Sequence, residues 1–278
     1  MNNARRIAVI IEGEEYEKKI VNSIRKNFFG KGNKALYTIV PLPMAGNLYA
    51  IWKELNSDSF LDIIELVRER TRQAQIALEG LNRESFSEVY LFFDYDSHQN
   101  NLKANENADE LLMEMLETFD NETENGKLYV SYPMAEAVRD SVIGSCNTYS
   151  GKCFYKKAGR EYKQLSGDNN PLSHIGSYTR NKWGDFINTY RGRITCLLNN
   201  SSLLSIKECK QISPTQIHQM QKGNEIENDL GIEVLSAFPK FLIDYFKEEY
   251  LECVTLQRTF NYPSCSAEEK ESKCSHEE

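Results

Sequence analysis

The sequence predicts an α/β fold, in which helices flank a parallel sheet, followed by a mainly helical C-terminal region. Two observations lead to this fold class. Short apolar runs at 7–11, 88–93 and 127–133 have the composition of strands that are buried on both faces. Longer segments with apolar residues at helical spacing lie between them. Strands that alternate with helices are typical of a doubly wound domain, so we expect the sheet to be parallel.

The first predicted strand and helix meet at a glutamate and a glycine. Residues 7–11 read IAVII, a β-branched run without a polar residue. After Gly13, apolar residues recur at helical spacing, which predicts a helix over 14–28. Glu12 therefore follows the strand directly. Because ligands in open parallel sheets bind at this end of the strands, Glu12 is a candidate site residue.

The other elements of the first half follow in order. Residues 36–42 predict a second strand, and 47–81 predict two helices separated by the turn NSDS at 56–59. The strand at 88–93 leads to the segment NADELLMEMLETF, whose pattern is that of an amphipathic helix. The strand at 127–133 is followed by MAEAVRDSVI, which also has a helical pattern.

The character of the chain changes after about residue 145. A stretch rich in Gly, Ser, Asn and Lys predicts an irregular basic segment at the start of a second region, 146–262. We expect Pro239 to kink or restart a helix of this region, and CVTLQRTF to form a final strand. Residues 263–278 have little to bury and are predicted to be disordered. Helices of the second region are predicted at 179–198, 214–222 and 233–246.

The net charge of −8 argues against a protein coated with basic patches for nucleic acid. That value combines an acidic segment at 84–136 with a basic segment at 152–193. Such a combination suits a metal site that serves a polyanion. The alternative for most of the acids is an ordinary solvated helix and loop.

The sequence also limits the location and the class of protein. It has no apolar run near the roughly 18 residues of a membrane span and no signal-peptide pattern, so we expect a cytoplasmic protein without a membrane partner. The 7 cysteines contain no close CxxC pair, so reduced thiols are expected. The phosphate-loop pattern GxxxxGK[ST] is missing, which argues against a P-loop ATPase.

Acidic residues follow three of the predicted strands. The carboxyl ends of parallel strands lie along one edge of a sheet, so we expect these carboxylates to converge. Carboxylates held close together need protons or cations between them, and an all-oxygen set suits Mg²⁺ or Mn²⁺. One or two such ions would activate water and stabilise the leaving oxygen of a phosphodiester. The acidic residues are Glu12, Asp94, Asp96 and Glu136.

These motifs resemble a known family. The pair EG at 12–13 and FFDYD at 92–96 are similar to the Toprim fold of topoisomerases, bacterial primases and the nucleases of the OLD and RloB type. EGEEYE at 12–17 and SYPMAE at 131–136 resemble the RloB-like branch most. The resemblance covers about the first 140 residues. It implies a Toprim-like, metal-dependent nuclease domain at 1–145, often used in defence against phage and sometimes with an ATPase partner.

The resemblance also assigns roles to residues. Glu12 would be the Toprim glutamate, which acts as a metal ligand or general base, and Asp94 and Asp96 would be the metal-binding DxD. Glu136 would complete the acidic set. Glu17 would bind a second metal or support the ligands; the alternative for Glu17 is an ion pair with a lysine of the first helix.

The sequence departs from the family pattern at several positions. Tyr132 stands where the family has Asn, and Ala135 where it has a bulky aromatic residue. The long stretch before Asp94 requires a helical insertion at about 47–82. These departures concern the role of Glu136, because Tyr132 and Ala135 lie in the same motif. The alternative is that Glu136 is an acid favoured by the dipole at a helix N-terminus.

Lys157 lies in the basic stretch FYKKAGREYK and is a candidate for stabilising negative charge during phosphodiester cleavage. The alternative is a surface lysine that contacts phosphate or only solvent.

Taken together, the sequence leads us to expect a Mg²⁺-dependent endonuclease that acts on DNA or RNA. A homo-oligomer is a possible partner state. The alternatives are an effector or regulatory subunit that is active only with an ATPase partner, and a non-catalytic nucleic-acid-binding module.

Overall fold

The chain divides into two compact units. The first comprises Met1–Val130 and Ile175–Tyr178, and the second comprises Ser131–His174 and Thr179–Glu278. The division therefore follows Val130, whereas the sequence placed it near residue 145. A computed structural model describes residues 5–30, 37–57, 61–95, 102, 106–140, 154–155, 160–167, 170–198, 200, 202–227 and 231–255.

A mostly parallel sheet is the centre of the first unit. Its strands are β1 (Arg5–Ile11), β2 (Tyr37–Pro43), β3 (Glu88–Asp94), β4 (Asp120–Asn121) and β5 (Gly126–Ser131). The described residues place them in the order β2-β1-β3-β5-β4. β1 pairs in parallel with β2 on one side and with β3 on the other, and residues 7–11 are buried, as a β-branched run predicts. The predicted α/β class is confirmed, and the fold is compatible with a Rossmann-like arrangement.

Capping side chains determine where the helices between β2 and β3 begin. Asp62 accepts hydrogen bonds from the main-chain N–H groups of Ile64 and Glu65. Thr71 then interrupts the helical segment, because its hydroxyl accepts from Ala74 N–H and starts a new helix. The prediction of two helices over 47–81 was therefore wrong, and the segment forms three. The helices of the first unit are α1 (Tyr16–Phe28), α2 (Leu48–Ser57), α3 (Ile63–Arg70), α4 (Arg72–Ala77) and α5 (Ala108–Thr118).

Helices dominate the described part of the second unit. Its elements are β6 (Phe154–Tyr155), α6 (Arg160–Gly167), α7 (Arg180–Leu197), α8 (Ile206–Gln211), α9 (Pro214–Glu227), β7 (Ile232–Glu233), α10 (Ala237–Tyr245) and α11 (Glu248–Thr255). α7 packs closely on α11 because Gly184 lacks a side chain; a Cβ there would clash with the carbonyl oxygen of Val254. None of the helices in the described residues has the length and apolarity that a membrane crossing requires.

A buried ion pair links the start of the second unit to α7. The Arg193 guanidinium donates to Asp140 Oδ1 at 3.1 Å and to the Asp140 carbonyl oxygen at 2.9 Å. It also donates to the carbonyl oxygen of Val234 at 2.8 Å, and the Tyr162 hydroxyl donates to Asp140 Oδ2 at 3.3 Å. A buried charge is tolerated only when it is paired and hydrogen-bonded, and these contacts meet that requirement.

The structure bears on two predictions for the end of the chain. Of the two alternatives for Pro239, the helix restarts: α10 begins at Ala237 and places the proline in its first turn, where the missing N–H has no intrahelical partner to lose. The predicted strand was wrong at Cys253 to Thr255, which end α11, and the rest of that prediction lies outside the described residues. Leu251 and Val254 are both buried three positions apart, a helical pattern that the strand prediction overlooked.

Candidate functional site

The carboxyl ends of β1 and β3 lie side by side in the sheet. The chain leaves β1 through α1 to reach β2 on one side, and later places β3 on the other side of β1. The gap between β1 and β3 is therefore a topological switch point, where open α/β sheets bind ligands. Glu12 directly follows β1 and Asp94 ends β3. The structure thus brings two of the predicted site residues to this point.

A hydrogen bond joins these two residues. The main-chain N–H of Asp94 donates to Glu12 Oε2 over 3.1 Å. Both side chains are partly exposed, so the pair is open to solvent and to ligands. A charged acceptor makes this a strong class of hydrogen bond, and it orients the Glu12 carboxylate towards the end of β3.

The main chain at Glu12 is held from the other side as well. Met44 N–H donates to the Ile11 carbonyl oxygen at 2.8 Å, and Ala45 N–H donates to the Glu12 carbonyl oxygen at 3.0 Å. These donors belong to the loop that follows β2. Glu12 is therefore fixed by contacts to both neighbouring strand ends, which is how a site residue is kept in one orientation.

Glu17 folds back over the turn that contains Glu12. Its Oε1 accepts a hydrogen bond from Gly13 N–H at 3.1 Å, and the residue is only 9% exposed. A Cβ at Gly13 would lie 2.6 Å from Glu17 Oε2, so the Glu17 carboxylate would have to shift to make room for one. The glycine of the EG pair therefore leaves space for this carboxylate, and the contact supports the turn. The neighbouring Glu15 lies 3.9 Å from Lys19 Nζ.

Gln73 connects the acidic turn to the helices between β2 and β3. Its side chain donates to Glu14 Oε2 at 3.1 Å and accepts a hydrogen bond from Lys18 Nζ. Gln73 was not identified from the sequence. A lone glutamine in an amphipathic helix carries no sequence signal for such a role, because the contact depends on the packing of α4 beside β2.

The end of β3 is held by a contact from the next helix. Tyr95 is buried, and its hydroxyl donates to Asp109 Oδ1 in the first turn of α5 at 3.1 Å. The contact fixes the chain immediately after Asp94. Asp96, the second aspartate of the predicted DxD, lies outside the described residues, and so does Lys157.

Glu136 belongs to the second unit and lies on the short 3₁₀ helix Ala135–Arg139. It is 3% exposed, and its Oε1 lies 3.0 Å from Lys163 Nζ on α6. Lys163 was not identified from the sequence, because residues 27 positions apart in an irregular region give no periodic signal. The ion pair places a positive charge beside the carboxylate that the family resemblance assigns to the acidic set.

The oxygen atoms at the switch point are of the kind that Mg²⁺ and Mn²⁺ bind. Glu12 and Asp94 both supply carboxylate oxygens, which suit hard divalent cations better than sulfur or imidazole ligands would. Among the residues that the structure describes, no group of three or more His, Cys, Asp or Glu is arranged as a metal site. Two described carboxylates thus follow neighbouring strands, and Asp96 comes two positions after Asp94 in the sequence.

No protein-family model, no curated protein and no solved structure matches the chain. The geometry around Glu12 and Asp94 is therefore the basis for assigning a function.

Proposed function

We propose that the protein is a Mg²⁺- or Mn²⁺-dependent endonuclease of the Toprim type that hydrolyses phosphodiester bonds of DNA or RNA. The observation that supports this most directly is the hydrogen bond from Asp94 N–H to Glu12 Oε2 at the switch point. It unites the two acidic motifs, EG and DYD, that lie 82 positions apart. Two such motifs at neighbouring strand ends are what the Toprim resemblance requires.

The metal would be held by Glu12 and Asp94, with Asp96 as a further ligand. When bound, the ion supplies an activated water and stabilises the departing oxygen of the phosphodiester. The residues of the chain keep the carboxylates in place for this role. The Asp94 amide orients Glu12, and Glu17 holds the turn through Gly13.

The same proposal includes Glu12 as a general base, since a partly exposed carboxylate at a fixed position can take a proton from water. We further propose that the protein acts in the cytoplasm and that its biological role is defence against phage. An ATPase would be its partner. These parts follow from the family resemblance, because fold and composition do not determine a biological role.

The test is a cleavage assay with matched variants. Purified protein is incubated with plasmid DNA, single-stranded DNA or tRNA, in Mg²⁺, in Mn²⁺ and in EDTA. Glu12→Gln keeps an oxygen that accepts the Asp94 N–H but removes the charge, and Asp94→Asn removes the second carboxylate. We expect metal-dependent cleavage by the wild type and a loss of about a hundredfold or more in each variant.

Glu15→Gln is the control. Glu15 lies in the same acidic turn, is exposed and pairs with Lys19. It should cleave like the wild type. Cleavage that persists unchanged in Glu12→Gln and Asp94→Asn, or a wild type with no metal-dependent cleavage and no Mn²⁺ binding in calorimetry, contradicts the proposal.

A further inference from the structure

A surface concavity of about 820 Å³ lies where α3 meets α4. Its volume is within the range of about 300–1,000 Å³ that ligand sites occupy. Three arginines line it, Arg68, Arg70 and Arg72, together with two acids, Glu69 and Glu79. The lining therefore has a small positive balance in a protein whose net charge is −8.

Thr71 fixes this concavity to the sheet edge that carries the candidate active site. Its hydroxyl donates to the carbonyl oxygen of Pro43 at 3.1 Å. Pro43 is the last residue of β2 and is paired with Ile11, the residue before Glu12. Two residues after Thr71, in the first turn of α4, Gln73 contacts Glu14 and Lys18. The concavity and the acidic turn are thus parts of the same unit and are joined through α4.

The three arginines differ in how they are held. Arg68 donates to the carbonyl oxygen of Leu78 at 2.7 Å and to Glu65 Oε2 at 2.9 Å, so its role is to brace the two helices. Arg70 forms an ion pair with Glu54, and both side chains are in part accessible to solvent. Such a surface pair contributes little to stability, so an incoming anion can replace Glu54 at low cost. Arg72 is exposed at the start of α4. Arg70 and Arg72 are therefore the arginines that can bind an anion.

An apolar side chain lies beside these charges. Ile76 is 63% exposed, the most exposed large hydrophobic residue in the described part of the chain. It is four positions after Arg72 in the same helix, so the two side chains are neighbours on one face. Guanidinium groups next to an exposed aliphatic surface match a ligand that offers phosphates and an apolar face together.

We propose that this concavity binds a short stretch of single-stranded nucleic acid. Arg70 and Arg72 contact successive phosphates, and Ile76 lies against the face of an unpaired base. In a duplex the base faces are covered by their stacking neighbours, whereas in a single strand they are accessible to side chains. The inference rests on the proposed function, since it places part of the substrate strand beside the Glu12 and Asp94 site.

The test is binding of fluorescein-labelled oligothymidylate by fluorescence anisotropy in EDTA, with a duplex of the same length as competitor. We expect Arg72→Gln and Ile76→Ser each to weaken binding severalfold without lowering the thermal stability. The slope of log affinity against log salt should also fall by about 0.7 in Arg72→Gln, since one phosphate contact is lost. Arg25→Gln removes the same charge from an exposed position on α1 and is the control.

Three results would overturn the proposal: no binding by the wild type, equal effects of Arg72→Gln and Arg25→Gln, or stronger binding of the duplex. Because the assay contains no metal, its outcome is separate from that of the cleavage assay. Binding that depends on Arg72 in a protein that never cleaves supports the concavity and contradicts the nuclease. Cleavage that depends on Glu12, with binding and KM unchanged in Arg72→Gln, supports the nuclease and contradicts the role of the concavity.

Discussion

The main-chain amide of Asp94 lies 3.1 Å from Glu12 Oε2 and donates a hydrogen bond to it. This contact joins the loop after β1 to the end of β3, and it uses the carboxylate of one acidic motif and the backbone of the other. Because the donor is the main chain of Asp94, substitution of the Asp94 side chain keeps this donor. Charge and orientation at this site can be changed one at a time by substitution.

Gly13→Ala should damage the turn that carries Glu12, and removing the Glu17 carboxylate should relieve the damage. The new Cβ would lie 2.6 Å from Glu17 Oε2. The Glu17 carboxylate should move away and lose its hydrogen bond from Gly13 N–H, so the free energy of unfolding should fall by about 1 kcal/mol. The double variant Gly13→Ala, Glu17→Ala should be more stable than the sum of the single changes predicts, with a coupling energy on the order of 1 kcal/mol in urea unfolding.

The control for this cycle is Gly46→Ala in the loop after β2, where the nearest atom to a Cβ lies 4.0 Å away. Its effect should be small and independent of Glu17. Additive effects of the Gly13 and Glu17 changes would show that the two residues do not constrain each other.

Lys163→Met should destabilise the second unit by leaving the buried Glu136 carboxylate without its ion pair. Loss of one partner of a buried polar group costs about 1–3 kcal/mol. The double variant with Glu136→Gln should recover part of this loss, because the amide carries no charge. The chain has 2 tryptophans, so Trp183 fluorescence in a Trp52→Phe background reports on the second unit during urea unfolding. A Lys163→Met protein as stable as its parent would mean that the pair is not maintained in solution.

Cys253 should react with iodoacetamide in the folded protein, while Cys209 should not. Cys253 is exposed, whereas Cys209 is fully buried and burial raises the pKa of its thiol to about 12. Near pH 8, on the order of one Cys209 in ten thousand is a thiolate, and the thiolate is the reactive form. Peptide mapping by mass spectrometry after timed alkylation measures each site. Urea should make the two rates similar, and equal rates without urea would contradict the buried position of Cys209.

Glu88→Gln should increase stability more near neutral pH than in acid. Burial raises the pKa of the Glu88 carboxyl, partly opposed by a hydrogen bond from the Tyr90 hydroxyl at 2.8 Å. The folded protein therefore binds a proton at Glu88 more tightly than the unfolded chain does. The resulting stability is complete below the unfolded pKa and is lost as the pH rises past the folded pKa.

The glutamine side chain keeps the acceptor for Tyr90 but has no charge to desolvate. Urea unfolding at about pH 7 and about pH 4 should thus show an advantage of Glu88→Gln that shrinks in acid. An advantage that grows in acid would reverse the sign of the pKa shift.

The sequence predicted those parts of the fold that depend on local patterns. The runs at 7–11 and 88–93 are buried β-branched and aromatic stretches, and both are central strands. The break at Thr71 was missed because one capping threonine inside a helical pattern differs little from an exposed helical residue. The strand predicted from Cys253 was wrong at its start because the helical spacing of Leu251 and Val254 was overlooked.

The candidate site was predictable only in its position. The expectation that parallel strands end at one edge of the sheet was sufficient to place Glu12 and Asp94 near each other. The contact of Glu17 with Gly13, the bridge through Gln73 and the pairing of Glu136 with Lys163 were not predicted. The last two depend on side-chain packing between elements, and such packing leaves no periodic trace in a single sequence.

The first unit takes four residues, Ile175–Tyr178, from a distant part of the chain. The carbonyl oxygen of Tyr178 accepts a hydrogen bond from Asn27 on α1 at 3.0 Å, so this short return is bonded to the helix that follows the acidic turn. The first unit is consequently not a module that could be exchanged between genes by moving one uninterrupted coding segment. Recombination that transferred only residues 1–130 would leave α1 without this partner, and the two halves are expected to be inherited together.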